Sequence, residues 1–261
     1  MKDILRVTLV QRELHWENIE ANLKMFESAL SAYTEASEII VLPEMFTTGF
    51  SMNPTQYAEE QDGITIAWMK HLAAQKKSII TGSTMIKENN TFYNRLIWMQ
   101  PNGVFGSYDK RHLFSYADEH LHYTAGNKRF IAQVNGWKIC TQICYDLRFP
   151  VWNRLASANE YDVLMFVANW PSSRIEAWDS LLKARAIENQ CYVVAVNRVG
   201  KDGKDNHYPG HSCVISPTGE IIYQQKDSVN IATIQLHKTT LLNTREKFPF
   251  SNDKDNFVLV P

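Results

Sequence analysis

The segment ICTQICYDLRFP, from Ile139 to Pro150, joins an apolar run to a polar, turn-like stretch. Residues Trp137 to Cys144 predict a β-strand, because they form a short apolar run bounded by the turn residues Asn135 and Gly136. At the carboxyl end of such a strand, side chains project into a crevice of the sheet. Cys144 is therefore a candidate nucleophile, although a cysteine that ends an apolar strand is more often part of the core.

Two other reactive residues follow strand-like runs in the same way. Glu44 comes directly after Ile39 to Pro43, and Lys110 comes directly after Gly106 to Asp109. Either residue alone is ordinary, because a glutamate after a strand is usually solvated or caps a helix, and a lysine is usually surface charge. Together with Cys144, they indicate one site at the strand ends.

Short apolar segments alternate with amphipathic ones along most of the chain. This pattern predicts sheets covered by helices, a layered α/β or α+β fold, in one domain over residues 1–261. The predicted strands are Leu5 to Val10, Ile39 to Leu42, Ser78 to Thr84, Thr91 to Met99, Gly103 to Asp109, Phe130 to Val134, Trp137 to Cys144, Val163 to Ala168, Tyr192 to Asn197, Cys213 to Ser216, Ile221 to Gln225 and Asn230 to Gln235. The predicted helices are Asn18 to Ser37, Ile64 to Gln75, Val151 to Ala158 and Ile175 to Asn189, and the predicted loop is Gly200 to Pro209.

Charge and composition argue against several classes of function. Lys and Arg number 27 against 28 Asp and Glu, with no extended run of one sign, so neither nucleic acid nor a membrane surface is an expected partner. The longest apolar runs are far shorter than the roughly 18 residues of a membrane span. The amino-terminal stretch lacks the apolar core and cleavage site of a secretory signal. A cytoplasmic location is therefore expected.

The cysteines predict neither a disulfide framework nor a metal site. In an extended strand Cys140 and Cys144 lie about 13 Å apart, too far for a disulfide. The sequence contains no CxxC pair of the kind that binds zinc. We therefore expect no metal, and we expect Cys140, Cys191 and Cys213 to be core residues.

Several segments, in a fixed order along almost the whole chain, resemble the nitrilase, or carbon–nitrogen hydrolase, superfamily. Several ordered blocks are a far more specific signal than one short motif. The matching segments are LPEMFTTGF (Leu42 to Phe50), YDKRHLF (Tyr108 to Phe114), DEHLHYTAG (Asp118 to Gly126), ICYDLRFP (Ile143 to Pro150), ANWPSSR (Ala168 to Arg174), KARAIENQCYVVAVNRVG (Lys183 to Gly200) and REKFPF (Arg245 to Phe250).

This resemblance implies an α+β fold of the nitrilase type, a four-layer αββα sandwich. It also implies a Glu–Lys–Cys triad that corresponds to Glu44, Lys110 and Cys144, with a second glutamate at Glu119. The implied activity is that of a thiol-dependent amidohydrolase that uses no cofactor or metal. The resemblance further implies at least a homodimer, with the tail after Arg245 reaching the partner.

The residue types suit acyl transfer. A thiol with an ordinary pKa is mostly protonated at neutral pH, so Cys144 needs a nearby base or cation. Glu44 can take the thiol proton, pass it to departing ammonia and later activate water. Lys110 and the backbone N–H of Tyr145 can stabilise the oxyanion. Glu119 is expected either to orient Lys110 or to assist proton transfer, and both roles stay open.

Within the superfamily the chain looks most like the ω-amidase branch, which hydrolyses the terminal amide of 2-oxoglutaramate and 2-oxosuccinamate. We therefore expect a small 2-oxo dicarboxylate monoamide as the substrate. Arg174 is the candidate ligand of its free carboxylate, because a guanidinium binds a carboxylate through two parallel hydrogen bonds.

Four more residues are candidates for substrate binding. Trp170, Tyr145 and Phe46 are candidate walls of the pocket, and core packing is the alternative for Phe46. Arg148 follows the nucleophile by four residues. Its alternative is a structural ion pair with Asp146 or Glu176.

Other functions also stay open. A Cys–His enzyme would need a histidine next to Cys144, and the sequence shows no local signature of one. A nitrile or an N-carbamoyl compound would suit the same thiol. A binding protein without catalysis could use the same fold, although the intact set of Glu44, Lys110, Glu119 and Cys144 disfavours it.

Overall fold

The computed structural model describes residues 2–155, 160–255 and 257–258. Within them the strands are β1 (Ile4–Gln11), β2 (Ile39–Val41), β3 (Ile79–Glu88), β4 (Thr91–Met99), β5 (Phe105–Asp109), β6 (Phe130–Val134), β7 (Trp137–Ile143), β8 (Val163–Ala168), β9 (Tyr192–Asn197), β10 (Val199–Lys201), β11 (His207–Ile215), β12 (Ile221–Lys226) and β13 (Asn230–His237). The helices are α1 (Ile19–Ala32), α2 (Pro54–Tyr57), α3 (Ile64–Lys76), α4 (Glu119–His122), α5 (Pro150–Asn153), α6 (Ile175–Asn189) and α7 (Lys238–Lys247).

The strands form two mixed sheets built on the same plan. The first sheet has the order β13-β1-β2-β3-β4-β5, and β1, β2 and β3 are parallel. The second has the order β10-β11-β9-β8-β7-β6, with β12 beside β11, and β7, β8 and β9 are parallel. Antiparallel strands flank both parallel centres. Because side chains at the carboxyl ends of parallel strands project into a crevice, the ends of β2, β7 and β8 are the places to look for a site.

Alternation of side chains separates the two faces of the first sheet. Val7 and Leu9 of β1 pack against the second sheet, whereas Val10 of β1 and Ile40 of β2 pack against α1 and α3. Successive side chains of a strand point to opposite faces, so one strand supplies both cores.

Helix α1 covers the outer face of this sheet. It begins after Asn18, whose side chain accepts a hydrogen bond from the backbone N–H of Ala21 at 3.0 Å and so caps the helix. Leu23, Phe26 and Leu30 recur at helical spacing on one buried face. This apolar face packs against the first sheet.

The second sheet is buried on both faces. Every residue of β8 and β9 is buried, as expected of parallel strands covered on both sides. Helix α6 packs onto this sheet through Trp178, Leu182 and Ala186. The order of layers is therefore helices, sheet, sheet and helix, which confirms the predicted αββα sandwich.

One predicted loop was wrong. Residues 200–209 are largely a hairpin, in which Val199 pairs with Pro209 and Lys201 pairs with His207. The segment is polar because most of its side chains are exposed, so it lacks the apolar alternation that marks a strand. The carboxylate of Asp202 supplies the turn, since it accepts hydrogen bonds from the backbone N–H groups of Lys204 and Asn206.

Two helix predictions also need correction, and one helix was missed. Helix α1 ends at Ala32 rather than Ser37, because Tyr33 is extended. Helix α7 was not predicted, since only Lys238 and Leu241 of its ten residues are buried and it shows little apolar periodicity. The predicted helix Val151 to Ala158 is the short α5, which ends at Asn153, and residues 156–158 lie outside the described residues.

Of the helices that the structure describes, none has the length and hydropathy needed to cross a membrane. That residues 1–261 form one domain stays a prediction.

We expect Phe26→Ala to lower the free energy of unfolding by about 3–5 kcal/mol, because it leaves a cavity in the core. The Phe26 ring is fully buried and meets the Phe46 ring edge-on, with the centroids 5.7 Å apart. Ser28→Ala, on an exposed position of the same helix, is the matched control and should change stability by less than about 0.5 kcal/mol. Urea unfolding measures the free energy of unfolding of both variants. Equal losses of stability would contradict the assignment of Phe26 to the core.

Candidate active site

Cys144 begins the turn that follows β7. Its backbone is left-handed, with φ at +44°, and it opens a 3₁₀ turn from Cys144 to Arg148. A non-glycine residue in this region carries about 1–3 kcal/mol of strain and needs surrounding restraints. The conformation turns the chain sharply at the strand end, and Cys144 lines a cavity there.

Lys110 lies between two carboxylates. Its Nζ is 2.9 Å from Oε1 of Glu44, and it is 3.0 and 2.9 Å from Oε1 and Oε2 of Glu119. All three side chains are completely buried. Buried charges are stable only when they are paired and hydrogen-bonded, and here each is.

Backbone and amide groups hold the two carboxylates in place. The side-chain NH₂ of Asn94 donates to Glu44 at 2.9 Å and to Glu119 at 3.2 Å. The backbone N–H of Asn169 donates to Oε2 of Glu44 at 2.8 Å, and that of Phe114 donates to Oε2 of Glu119 at 2.6 Å. Each of the four carboxylate oxygens thus accepts a hydrogen bond from a donor other than Lys110, and these bonds hold both side chains in one rotamer.

The electrostatics keep Lys110 charged and the thiol neutral. Burial by itself would lower the pKa of Lys110, but the charges of Glu119 and Glu44 outweigh it and raise that pKa well above its usual range. Burial, and then the charge of Glu44, raise the pKa of the Cys144 thiol well above normal, and Lys110 only partly opposes this. Burial also raises the pKa of Glu119, against the opposing charge of Lys110. At neutral pH the resting thiol is therefore protonated and needs a base in the reaction itself.

A cavity of about 320 Å³ opens above the thiol. Lys110, Cys144 and Asn169 line it, together with a mixture of aromatic, charged and polar residues. The remaining lining residues are Phe50, Met52, Phe114, Tyr116, Ala117, Asp118, Tyr145, Arg148, Trp170, Pro171, Arg174, Asp202, Lys204, Asn206 and Tyr208.

Four of the five candidate substrate-binding residues line this cavity: Tyr145, Trp170, Arg148 and Arg174. Phe46 does not. It is fully buried between Phe26 and Trp68, at centroid distances of 5.7 and 5.9 Å, so core packing describes its place.

The ion pair considered for Arg148 does not form among the described residues. Its guanidinium lies over the Trp170 ring, 5.0 Å from the centroid, and Asp146 instead pairs with His112. The guanidinium of Arg174 lies 5.2 Å from the ring centroid of Phe114. Within the described chain, neither arginine takes part in a salt bridge to a carboxylate, and both line the cavity.

Sequence reasoning missed several residues of the site. Asn169 directly follows β8. The strand-end rule, that side chains just after a strand project into the site, could therefore have found it. Asn94 lies inside β4 and carried no such signal. Asp202, Lys204 and Asn206 belong to the polar hairpin that was predicted to be a loop.

The Cys–His alternative has no support in the geometry. No histidine in the described part of the chain lines the cavity. His112 and His211 contact Asp146 and Asp179, and His120 and His122 are exposed, as is His207. Over the same residues, no group of three or more His, Cys, Asp or Glu could hold a metal ion.

The other three cysteines are core residues, as predicted. Cys140, Cys191 and Cys213 are 1%, 0% and 2% exposed. Burial raises the pKa of Cys140 to about 11 and raises the pKa values of Cys191 and Cys213 further.

Comparison with known proteins identifies the family. Residues 6–244 match the family described as carbon–nitrogen hydrolase. The omega-amidase YafV of Escherichia coli (strain K12) is 46% identical over 257 residues, 98% of each chain. The 2-oxoglutaramate amidase of Bacillus subtilis (strain 168) is 32% identical over 250 residues, which cover 95% of this chain and 96% of that one.

A solved structure shows the same fold throughout. XC1258 from Xanthomonas campestris, a CN-hydrolase superfamily protein with an arsenic adduct in its active site, superposes with a TM-score of 0.96 at 42% identity. The match covers 99% of this chain and 100% of that one. The chain therefore belongs to the carbon–nitrogen hydrolase family. It is an amide-hydrolysing enzyme, and the relatives it matches include proteins described as ω-amidases.

Glu44→Gln should lower the pKa of Cys144. A negative charge beside a thiol disfavours the thiolate, so its removal lets the thiol ionise at lower pH. The pH dependence of Cys144 alkylation by iodoacetamide, followed by mass spectrometry, measures this shift. Glu38→Gln, which removes a carboxylate paired with Arg6 away from the cavity, is the control. A midpoint that stays in place or rises in Glu44→Gln would contradict the electrostatic assignment.

Proposed function

We propose that this enzyme hydrolyses the terminal carboxamide of a small 2-oxo dicarboxylate monoamide, such as 2-oxoglutaramate or 2-oxosuccinamate, to the acid and ammonia. The observation that carries the proposal is the buried Glu44–Lys110–Glu119 cluster next to Cys144, beside a small cavity lined by two guanidinium groups that form no salt bridge among the described residues.

The first half of the cycle forms a thioester. Glu44 takes the proton from Cys144 as sulfur attacks the amide carbon, which gives a tetrahedral intermediate with a negative oxygen. Lys110 stabilises this oxyanion. Of its three protons, one can be donated to Glu44 and one can be shared by both oxygens of Glu119, which leaves the third free for the oxyanion. We assign the second donor to the backbone N–H of Tyr145, the residue after the nucleophile. Collapse of the intermediate breaks the C–N bond, and Glu44 returns the proton to the departing ammonia.

The second half releases the acid. Glu44, again a carboxylate, takes a proton from water, whose oxygen attacks the thioester carbon. The C–S bond breaks, and the proton returns to the sulfur of Cys144. We assign Glu119 to orientation of Lys110, because both of its oxygens contact Nζ and the Phe114 N–H holds one of them.

Charge in the cavity supports an anionic substrate. Arg148 and Arg174 rest on aromatic faces, which hold a guanidinium in one place without neutralising it. A substrate carboxylate can supply the missing negative charge through two parallel hydrogen bonds. We assign this contact to Arg174. A compact monoamide also suits a cavity of about 320 Å³.

The relatives support the same substrate class. The Escherichia coli relative is described as an omega-amidase, and the Bacillus subtilis relative as a 2-oxoglutaramate amidase. A homodimer or larger homo-oligomer and a cytoplasmic location stay predictions.

Cys144→Ala should lower kcat/KM for ammonia release by at least about a thousandfold, because the nucleophile is lost. Cys213→Ala, at a core position outside the cavity, is the matched control and should keep activity close to that of the unchanged enzyme. Ammonia release at the normal rate from any amide by Cys144→Ala would refute the mechanism.

Arg174→Gln should lower kcat/KM for 2-oxoglutaramate by roughly tenfold to a hundredfold, the usual value of a hydrogen-bonded charge contact. A neutral amide of similar length should be affected little, since it has no carboxylate to bind. Steady-state kinetics on a panel of ω-amides, neutral aliphatic amides, nitriles and N-carbamoyl amino acids measures both claims. A preference for nitriles or N-carbamoyl compounds would replace the proposed substrate, and equal losses on charged and neutral amides would refute the role of Arg174.

A further inference from the structure

Asp146 lies two residues after Cys144 and is completely buried, yet the reaction cycle above does not use it. Within the described residues, no lysine or arginine forms a salt bridge with it, and the nearest basic side chain is the ring of His112, at 2.8 Å. A buried carboxylate is retained at a cost unless its hydrogen bonds are satisfied. Those bonds show what it holds together.

The carboxylate of Asp146 makes four contacts, which join the end of β7 to the segment that carries Lys110. Its Oδ2 accepts the backbone N–H of Ile143 at 3.1 Å and the hydroxyl of Tyr108 at 2.7 Å. Its Oδ1 accepts the backbone N–H of His112 at 2.9 Å and lies 2.8 Å from Nδ1 of the same residue. All four acceptor positions of the carboxylate are thus occupied.

The positions of these partners matter more than their number. Ile143 directly precedes Cys144, so its contact closes the turn that carries the left-handed nucleophile. Tyr108 and His112 lie two residues before and two residues after Lys110. One carboxylate therefore clamps the nucleophile turn and both ends of the segment that presents the ammonium group.

Secondary contacts stiffen the clamp. The Tyr108 hydroxyl also accepts a hydrogen bond from Nε1 of Trp152 at 2.9 Å. The His112 ring stacks on Phe149, with the centroids 3.7 Å apart and the planes at 7°. Tyr108 cannot shift without breaking its hydrogen bond to Trp152, and the His112 ring cannot shift without losing its stack on Phe149.

We propose that Asp146 is a positioning residue that sets the placement of the Cys144 sulfur relative to the Lys110 ammonium, with His112 as its support. The inference rests on the proposed function, in which these two groups act on the same carbonyl. Reacting groups must be held to within a fraction of an ångström, and a displacement of about 1 Å can cost roughly a hundredfold in rate. A clamp of this kind acts on kcat, because it orients the groups that act in the transition state and touches no part of the substrate.

The test compares Asp146→Asn with Asp162→Asn. Asp162 is also buried, and its Oδ2 accepts the backbone N–H of Lys138 at 2.7 Å near the start of β7, the strand whose end Asp146 holds. Both substitutions keep side-chain size and remove a buried carboxylate that accepts a backbone N–H of β7, and Asp162 also forms salt bridges with Lys238 and Arg245. Only Asp146 contacts the catalytic segments.

For Asp146→Asn we expect kcat for the preferred amide to fall roughly tenfold to a hundredfold, with KM changed by less than about threefold. Asp162→Asn should leave kcat within about threefold of the unchanged enzyme, even if urea unfolding shows a similar loss of stability. His112→Phe keeps the stack on Phe149 and the charge of Asp146 but removes the ring contact. It should lower kcat by about threefold to tenfold, again with little change in KM.

The outcomes separate the two proposals. An unchanged kcat in folded Asp146→Asn, a rise in KM alone, or equal losses of kcat in Asp146→Asn and Asp162→Asn would overturn the positioning role. If Asp146→Asn does not fold, His112→Phe decides, and a kcat equal to that of the unchanged enzyme overturns it. A failure of the proposed function would appear in a different experiment, as full activity of the Cys144→Ala enzyme.

Discussion

The contact of one buried ammonium with two buried carboxylates is the constraint on which the site depends. Lys110 has no exposed surface, so its charge is stable only because Glu44 and Glu119 surround it. The same contact keeps both glutamates in position, and burial, followed by the charges of the glutamates, raises the pKa of the Cys144 thiol. The thiol is therefore neutral at rest, and the proposed mechanism activates it by proton transfer to Glu44. Asn94 supports the arrangement by donating to both carboxylates from within a strand.

Much of the fold follows from the sequence. Strands β8 and β9 match their predicted bounds, because each is a continuous apolar run that parallel strands buried on both faces require. The strand-end rule also brought together Glu44, Lys110 and Cys144, which lie at the carboxyl ends of β2, β5 and β7. In these cases a local pattern decides the structure, since the strand fixes where its last side chains emerge.

The remaining features depend on contacts that no local pattern reports. Phe46 follows Glu44 by two residues and is apolar, so only the packing of α1 and α3 shows that it turns to the core. The hairpin of β10 and β11 is polar because it lies at the edge of the protein, where alternation is lost. Asn94 gives no signal because its partners are 50 and 25 residues away in the chain. Which distant residues come into contact is decided by the whole fold and not by the local sequence.

The division of the site between the two sheets also has a kinetic meaning. Glu44 and Lys110 are separated by 66 residues, and Glu44 and Asn169 by 125. One sheet brings Glu44 and Lys110, and the other brings Cys144. Contacts between such distant positions close large loops, whose entropy is lost before the contacts form, so they come late when a chain folds. Neither sheet alone carries both the buried Glu44–Lys110 pair and the Cys144 thiol, so the site is complete only when the two sheets have docked.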